Sequence, residues 1–375
     1  MSESRSDGRA LPELLQLGVW KIALGPEDEP EAVGSSFERE PLPIDSPLLS
    51  AALIVRDEER LLPDCLKSLK GLADEVVVVD TGSRDRSIEI AQQAGARIFH
   101  VPWREDFGAP RRHALSQCRG RWILQIDADE TVRRSSTGPL RELLCDRGSG
   151  GYYVNFQRRR GLTRNWQLKL YRREGASRYR GVVHENLQPS ELRRSTGLAL
   201  KQCPLEIDHR GYEGDPRPKA RRNLPLLRRR LRDEESSERN PAFLWLDVAD
   251  SLRCLGDESG YRDALDRALC SMREAGLRHP TQFAVLARAI ELGLEDERSV
   301  ESLLEEARSL VPEDPYLAWL RGRSEWARGD ADRAAVTFEG LAHRPEPGPG
   351  WIGYDQRLFG PAPERAAAVC RGLSP

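Results

Sequence analysis

Several features that would each point to a class of protein are missing from this sequence. Net charge is one: 58 lysines and arginines nearly cancel 60 aspartates and glutamates, so no overall field draws the chain to nucleic acid. The seven cysteines are scattered and include no C-x-x-C pair, which excludes a zinc framework or an obvious disulfide scaffold and fits a reducing cytosol. Long apolar runs are also lacking. Residues 1–20 do not have the basic start and apolar stretch of a secretory signal, and no later run approaches the roughly 20 apolar residues that span a bilayer. The expectation is a cytoplasmic protein with no nucleic-acid partner and no transmembrane segment, at most peripheral to a membrane.

What is present changes character along the chain. At 375 residues it exceeds one typical domain. Residues 1–47 carry polar starts, acidic patches and scattered prolines, and read as an extension in which Leu11, Leu14, Leu15, Val19 and Ile22 recur at helical spacing. From residue 48, short β-rich runs (LLSAALIV, EVVVVD, ARIFHV, RWILQID) alternate with helix-like segments, the pattern of parallel βαβ units and of an α/β class. Gly95 stands where the second of those helices should stop. After about residue 150, shorter and more polar strands (GYYVNFQ, WQLKLYRR, RGVVHENL, LEIDHRGY) suit an antiparallel or mixed extension of the sheet. Beyond Asp215 the strand signals vanish. The phrase LRCLGD (252–257) recurs loosely as WARGD (326–330), which reads as at least two tetratricopeptide-type helical hairpins. The expected division is 1–47, 48–215 and 216–375.

In an open parallel sheet, ligands bind beyond the carboxyl ends of the strands. Three such ends carry carboxylates: Arg56-Asp57-Glu58 after the first strand, Asp80-Thr81-Gly82-Ser83-Arg84-Asp85 after the second, and Asp127-Ala128-Asp129-Glu130 after the fourth. An isolated D-x-D is common in ordinary acidic turns. This one follows a buried strand and two other acidic strand ends, and so suits a hard divalent cation, Mn2+ or Mg2+, that takes its remaining ligands from water and phosphate. Such a cation offsets charge growing on a departing diphosphate. An attacking acceptor must also lose a proton, and the His184-Glu185 pair after Gly181-Val182-Val183, read as a strand end, offers a carboxylate base and an imidazole metal ligand; a polar turn is the bland alternative. His209 is a weaker candidate for either role. Trp103, Asp106 and Phe107 lie in a loop before a helix whose start carries Arg111 and Arg112, apt for diphosphate or equally for a surface ion-pair network. Arg172 and Arg173 close LKLYRR and read as phosphate contacts or as solvation of an edge strand.

These stretches together resemble the family 2 glycosyltransferases of the GT-A fold, in particular a bacterial subgroup with a tetratricopeptide-like tail. The matching text is ALIVRDEERLLPDCLKSLKGLADEVVVVDTGSRDRS, WREDFGAPRRHAL, RWILQIDADE, LYRR…YRGVVHENL and IDHRGY, spanning about residues 48–215. The resemblance implies a Rossmann-like mixed sheet flanked by helices and followed by an all-α repeat domain. It also implies inverting, metal-dependent transfer of a sugar from a nucleotide-diphosphate donor, UDP-sugar by expectation, to a saccharide, lipid-linked or peptide/protein acceptor. Asp80 would contact base or ribose, and Glu58 would shape the nucleotide pocket together with Arg56, Asp57, Ser83, Asp85 and Arg111. Asp127 would lie near ribose and donor sugar. Asp129 would be the principal metal ligand with His184 as a further one, and Glu185 the base. Trp103, Asp106 and Arg172 would meet acceptor or donor sugar. Family members usually read Arg-Asn where this chain has Arg111-Arg112, and often Asn-Glu in place of Asp57-Glu58. The alternative reading is a non-catalytic nucleotide-sugar-binding scaffold built on helical repeats. A nucleotidyltransferase ranks last, since no glycine-rich phosphate loop follows the first strand.

Overall fold

Val77, Val78 and Val79 of EVVVVD are fully buried, the two-sided burial that a central parallel strand requires. The computed structural model describes residues 46–133, 135, 137–157, 161–179, 181, 183, 187–211, 215–235, 241–276, 282–347 and 354–373. The helix expected between Leu11 and Ile22 lies outside the described residues. Two compact units divide the chain: one holds the described residues of 46–157 and 164–230, the other takes 161–163 and those from 231 onward. The division thus falls at residue 230 and not at 215.

The first unit is built on a mixed sheet. Strands β1 (Leu49–Val55), β2 (Glu75–Asp80), β3 (Arg97–His100) and β4 (Trp122–Gln125) run parallel in the order β3-β2-β1-β4. Next come β7 (Asn165–Arg172), β6 (Ser149–Gln157), β8 (Ala199–His209) and β5 (Glu130–Val132). Here β7 is antiparallel to both β4 and β6, β8 is parallel to β6, and β5 is antiparallel to β8. Two expectations need correction. The later strands are not shorter, since β6 has nine residues and β8 eleven, against four each in β3 and β4. Gly181 and Val183 are not in a strand. Gly181 takes φ +97°, a conformation that ends regular pairing.

Helices cover the sheet where the helical period places apolar residues. Helix α1 (Leu62–Leu69) buries Leu62, Cys65, Leu66 and Leu69, and carries Pro63 in its first turn, where the missing N–H has no intrahelical partner to lose. Helix α2 (Ser87–Gln93) ends before Gly95 at φ +77°, the left-handed stop expected there. Helices α3 (Gly108–Gln117), α4 (Leu140–Leu143) and α5 (Pro189–Thr196) follow, and α6 (Arg217–Glu235) leads out of the sheet.

The second unit is helical and tetratricopeptide-like: α7 (Ala242–Leu255), α8 (Glu258–Glu274), α9 (Phe283–Glu295), α10 (Glu301–Leu310), α11 (Pro315–Ala327), α12 (Ala331–Ala342) and α13 (Pro361–Cys370). The recurring Gly-Asp phrase has one physical meaning in both places. Gly256 and Gly329, each at φ +80°, end one helix in the left-handed region. Asp257 and Asp330 then cap the next, accepting from Gly260 N at 2.9 Å and Arg333 N at 3.3 Å. Between α11 and α12, Gly322 lets the Phe338 ring approach so closely that a Cβ there would stand 2.6 Å from its Cε1. Gly322→Leu is therefore expected to lower the denaturant midpoint by an amount equivalent to about 1–3 kcal/mol. Gly340→Ala, where nothing lies within 4 Å of the added carbon, should raise it by roughly 0.5 kcal/mol. Equal midpoints for the two variants would contradict this packing.

Candidate active site at the end of the fourth strand

Ladder bonding to β1 continues one residue past β4, with Ile126 N donating to Ala52 O at 3.2 Å; the chain then leaves the sheet. It folds at once into a turn over Asp127–Glu130, closed by Glu130 N donating to Asp127 O at 3.0 Å. Within the turn, Asp127 N donates to Glu130 Oε2 at 3.0 Å. The pairing Glu130↔His209 between β5 and β8 then lays the end of β8 against the turn. The acidic triplet thus emerges from the strand end, where the alternation of RWILQI directs it.

Two buried cations lie beneath. Lys169, on interior strand β7, places its Nζ 2.7 and 2.8 Å from the Glu130 carboxylate oxygens, both side chains being buried, and sits 5.1 Å over the Phe156 ring. Arg111, buried in the first turn of α3, donates to Asp127 Oδ1. Burial opposes ionisation of Asp127, yet Arg111 and Lys169 hold its carboxyl well below the usual range. Glu130 goes the other way: burial raises it in spite of Lys169.

Among the described residues, no lysine or arginine forms such an ion pair with Asp129. Burial, followed by repulsion from Asp127, raises its carboxyl from 3.8 to about 6, with Lys219 of α6 acting against the shift. The end of β8 wraps it: Arg210 N donates to Asp129 O at 2.8 Å, and His209 Nε2 lies 3.4 Å from Asp129 Oδ2. Gly211 N is 3.2 Å from His209 Nδ1, which makes Nδ1 the acceptor and leaves Nε2–H directed at Asp129. Burial lowers His209 to about 4, so the ring is neutral at physiological pH. A Cβ at Gly211 would stand 1.8 Å from Asp129 Oδ2, so any side chain there must displace that carboxylate. Glu58 completes the acidic group: burial first, then Asp129, Asp127 and Asp85, raise it to about 7, while Arg222 of α6 lowers it.

The first two strand ends are stitched to each other. Asp57, at φ +55°, accepts from Arg84 N at 2.7 Å, and its own N donates to Ser83 Oγ at 3.1 Å. Asp85 accepts from Glu59 N at 2.9 Å and from Ser87 N at 2.9 Å, and Glu58 N donates to Ser87 Oγ at 2.8 Å. Arg56 is exposed, 4.0 Å from Asp57. Asp80 is buried; despite that burial, bonds from Ser83 and Gly82 (3.0 and 3.1 Å to the two N–H groups) and from His100 keep it below the usual carboxylate range. These side chains hold the two loops in register beside the acidic group.

The remaining candidates divide. Trp103 and Phe107 meet edge to face at 4.6 Å, and Arg222 stacks on Phe107 at 4.9 Å, which brings that loop beside Glu58. Asp106 accepts from Ala109 N at 3.1 Å at the start of α3. Arg172 is a correction. Its strand is interior, the pairing Trp122↔Arg172 puts it at the opposite end of β4 from Asp127, and its guanidinium donates to Ser149 O (2.7 Å) and Asp146 O (2.8 Å) over Trp122. That places it away from the acidic group at the other end of the strand. His184 and Glu185 lie outside the described residues. Reasoning from sequence missed Lys169, Gly211, Lys219 and Arg222; only the quoted IDHRGY phrase held a signal for any of them, at Gly211.

Among the described residues, no group of three His, Cys, Asp or Glu side chains could hold a metal ion. The chemistry of the donors still fits one: burial and the neighbouring charge of Asp127 leave Asp129 short of positive charge, which a divalent cation would supply, while the Nε2–H of His209 orients that carboxylate.

Comparison with known proteins fits this geometry. Residues 50–197 match the family described as glycosyl transferase family 2. A TPR repeat-containing protein of Synechococcus elongatus is 48% identical over 96 residues, which are 26% of this chain and 24% of that protein. The SPbeta prophage-derived glycosyltransferase SunS of Bacillus subtilis is 26% identical over 213 residues, 54% of this chain and 48% of the relative. The chain thus spans less than half the length of these curated relatives. Among solved structures, glucosyl-3-phosphoglycerate synthase from Mycobacterium tuberculosis, in complex with Mn2+, UDP and phosphoglyceric acid, overlaps 48% of this chain and 76% of its own at 20% identity and a TM-score of 0.37. An overlap at that score carries no mechanistic weight.

A raised carboxyl retains in the native state a proton that the unfolded chain has released. The stability it contributes is complete below about 3.8 and is lost as pH rises through about 6. Without divalent cation, Asp129→Asn should therefore be more stable than wild type at pH 8, by on the order of 2 kcal/mol, with the gap falling to roughly half near pH 5 and closing below about 3.8. Melting curves at these pH values check this; identical curves at pH 8 would contradict it.

Proposed function

Starting from a glycosyl transferase family 2 domain at residues 50–197, we propose that the protein is an inverting, metal-dependent glycosyltransferase using a nucleotide-diphosphate sugar, UDP-sugar being the expected donor. The observation that carries this reading is the Asp129 carboxylate: partly buried, without a lysine or arginine ion pair among the described residues, and enclosed by His209 and Gly211 at the end of the parallel half of the sheet. Seven free cysteines suit a reaction in the cytosol, and no helix among the described residues is long and apolar enough to cross a membrane.

The residues divide the work as follows. The stitched loops bearing Asp57, Asp80, Ser83 and Asp85 form the floor for base and ribose, and Asp127, held by Arg111, faces ribose and donor sugar. Asp129, oriented by the Nε2–H of His209, would hold Mn2+ or Mg2+ together with His184, and the cation when bound offsets charge on the diphosphate. Lys219 and Arg222 act on the same acidic group from α6, and their charge favours the leaving diphosphate. In the reaction an acceptor oxygen, nitrogen or sulfur attacks the anomeric carbon from the face opposite the diphosphate. The carbon–oxygen bond to the phosphate breaks with its electron pair, and the acceptor's proton passes to a base, for which we assign Glu185. The chain leading to it is anchored at Val183 O, which accepts from Arg230 at 2.7 Å, and at Gly181 O, which abuts Gly108 of α3. Trp103 offers an aromatic face to a sugar. Saccharide, lipid-linked and peptide acceptors all satisfy this chemistry.

Incubation with UDP-sugars, Mn2+ or Mg2+ and an acceptor panel should give transfer or slow hydrolysis. Asp129→Asn and Gly211→Ala should each lose at least about 100-fold in kcat, while Glu185→Gln should retain donor binding and lose transfer. Tight donor binding without turnover by wild type in any arm would favour the scaffold reading instead. Turnover undiminished in Asp129→Asn would remove the carboxylate from the chemistry.

A further inference from the structure

Helix α6 carries eight basic residues, arranged against its own stability. Its first turn holds Arg217 and Lys219 and no acid, the reverse of what the helix dipole favours there. At 100° per residue, Arg217, Arg221, Arg228 and Arg232 fall within an arc of about 60°. All four are exposed. Like charges stand one turn apart at 217/221 and 228/232, spacings that destabilise an isolated helix. Arg217 reaches Asp215 at 2.9 Å and the charge of Arg221 acts on the same exposed carboxylate, while among the described residues no carboxylate forms an ion pair with Arg228. Arginines elsewhere do find partners, as in Arg253–Glu295, Arg262–Asp296 and Arg273–Glu306.

This stripe does not belong to the site described above. Lys219 and Arg222, which act on Asp129 and Glu58, project on the far side of the helix, about 110–170° from the centre of the stripe. A donor or acceptor in the cleft is therefore out of its reach. The stripe is about 22 Å long, too extended for a single small anion. It carries no aromatic residue on which a base could stack, and no exposed Leu, Ile, Val or Phe lies on the arc to insert into a hydrocarbon layer. An extended, flat array of phosphate groups met by charge alone is the remaining complement.

We propose that the Arg217–Arg221–Arg228 face of α6 docks the protein on an anionic bilayer surface. This docking is independent of the transfer reaction. Its test is flotation of the full chain with phosphatidylcholine vesicles, plain or containing about one-third phosphatidylglycerol. Wild type should bind only the anionic vesicles and should be released at about 0.5 M salt. The Arg221→Gln/Arg228→Gln variant should bind roughly thirtyfold more weakly, about fivefold per arginine. An Arg221→Lys/Arg228→Lys variant should bind like wild type. Unchanged circular dichroism and UDP binding would establish that both variants are folded. Equal binding of wild type and the glutamine variant, no binding of wild type to anionic vesicles, or tighter binding to a short DNA duplex at the same salt would each overturn the proposal.

Discussion

Two cations buried beneath the Asp127–Glu130 turn decide what that turn can do. Lys169 neutralises Glu130 from the strand side and Arg111 neutralises Asp127 from α3, so two of the carboxylates gathered at the strand end are satisfied within the fold. Breaking either pair would leave a charge buried without its partner, far costlier than losing a surface ion pair. With those two fixed, Asp129 is the carboxylate of this turn for which no lysine or arginine ion pair is found among the described residues, and burial together with the charge of Asp127 raises its pKa. An external cation and its diphosphate become the natural complement of the site, and the backbone of residues 209–211 sets where they can sit.

The parallel half of the sheet was legible in the sequence because its strands are continuous apolar runs between helical periods. EVVVVD and RWILQID announce strands whose ends must face a crevice, and Gly95 and the two Gly-Asp phrases mark helix ends through conformations that few other residues adopt. The antiparallel half was less readable. Segments such as RGVVHENL carry β-rich composition, yet Gly181 and Val183 are not in a strand, and nothing local marks Gly181 as a break. Arg172 shows the same limit. A basic pair closing a strand reads as an exposed edge, but only the long-range order β4-β7-β6 reveals an interior position.

Side chains that act across the sheet were the hardest to see. Lys169 lies in a polar-looking strand 39 residues from its partner Glu130, and Lys219 and Arg222 sit in a helix that composition assigned to the repeat region. Residue 215 looked like a boundary because strand signals end there. The compact unit runs on to residue 230 because most of α6, residues 217–230, packs as part of it. That one helix turns a cationic side toward the acidic group and an arginine stripe away from it, a division that an overall net charge near zero conceals.

The central claim is that Asp129 is the group through which a cation and a nucleotide diphosphate are held together, and calorimetric titration with UDP tests it most directly. The account predicts that wild type binds UDP much more tightly with Mn2+ than without, that this gain fades as pH falls through about 6, and that Asp129→Asn shows no gain at any pH. A UDP affinity indifferent to Mn2+ in wild type, or an Mn2+-dependent gain undiminished in Asp129→Asn, would contradict it.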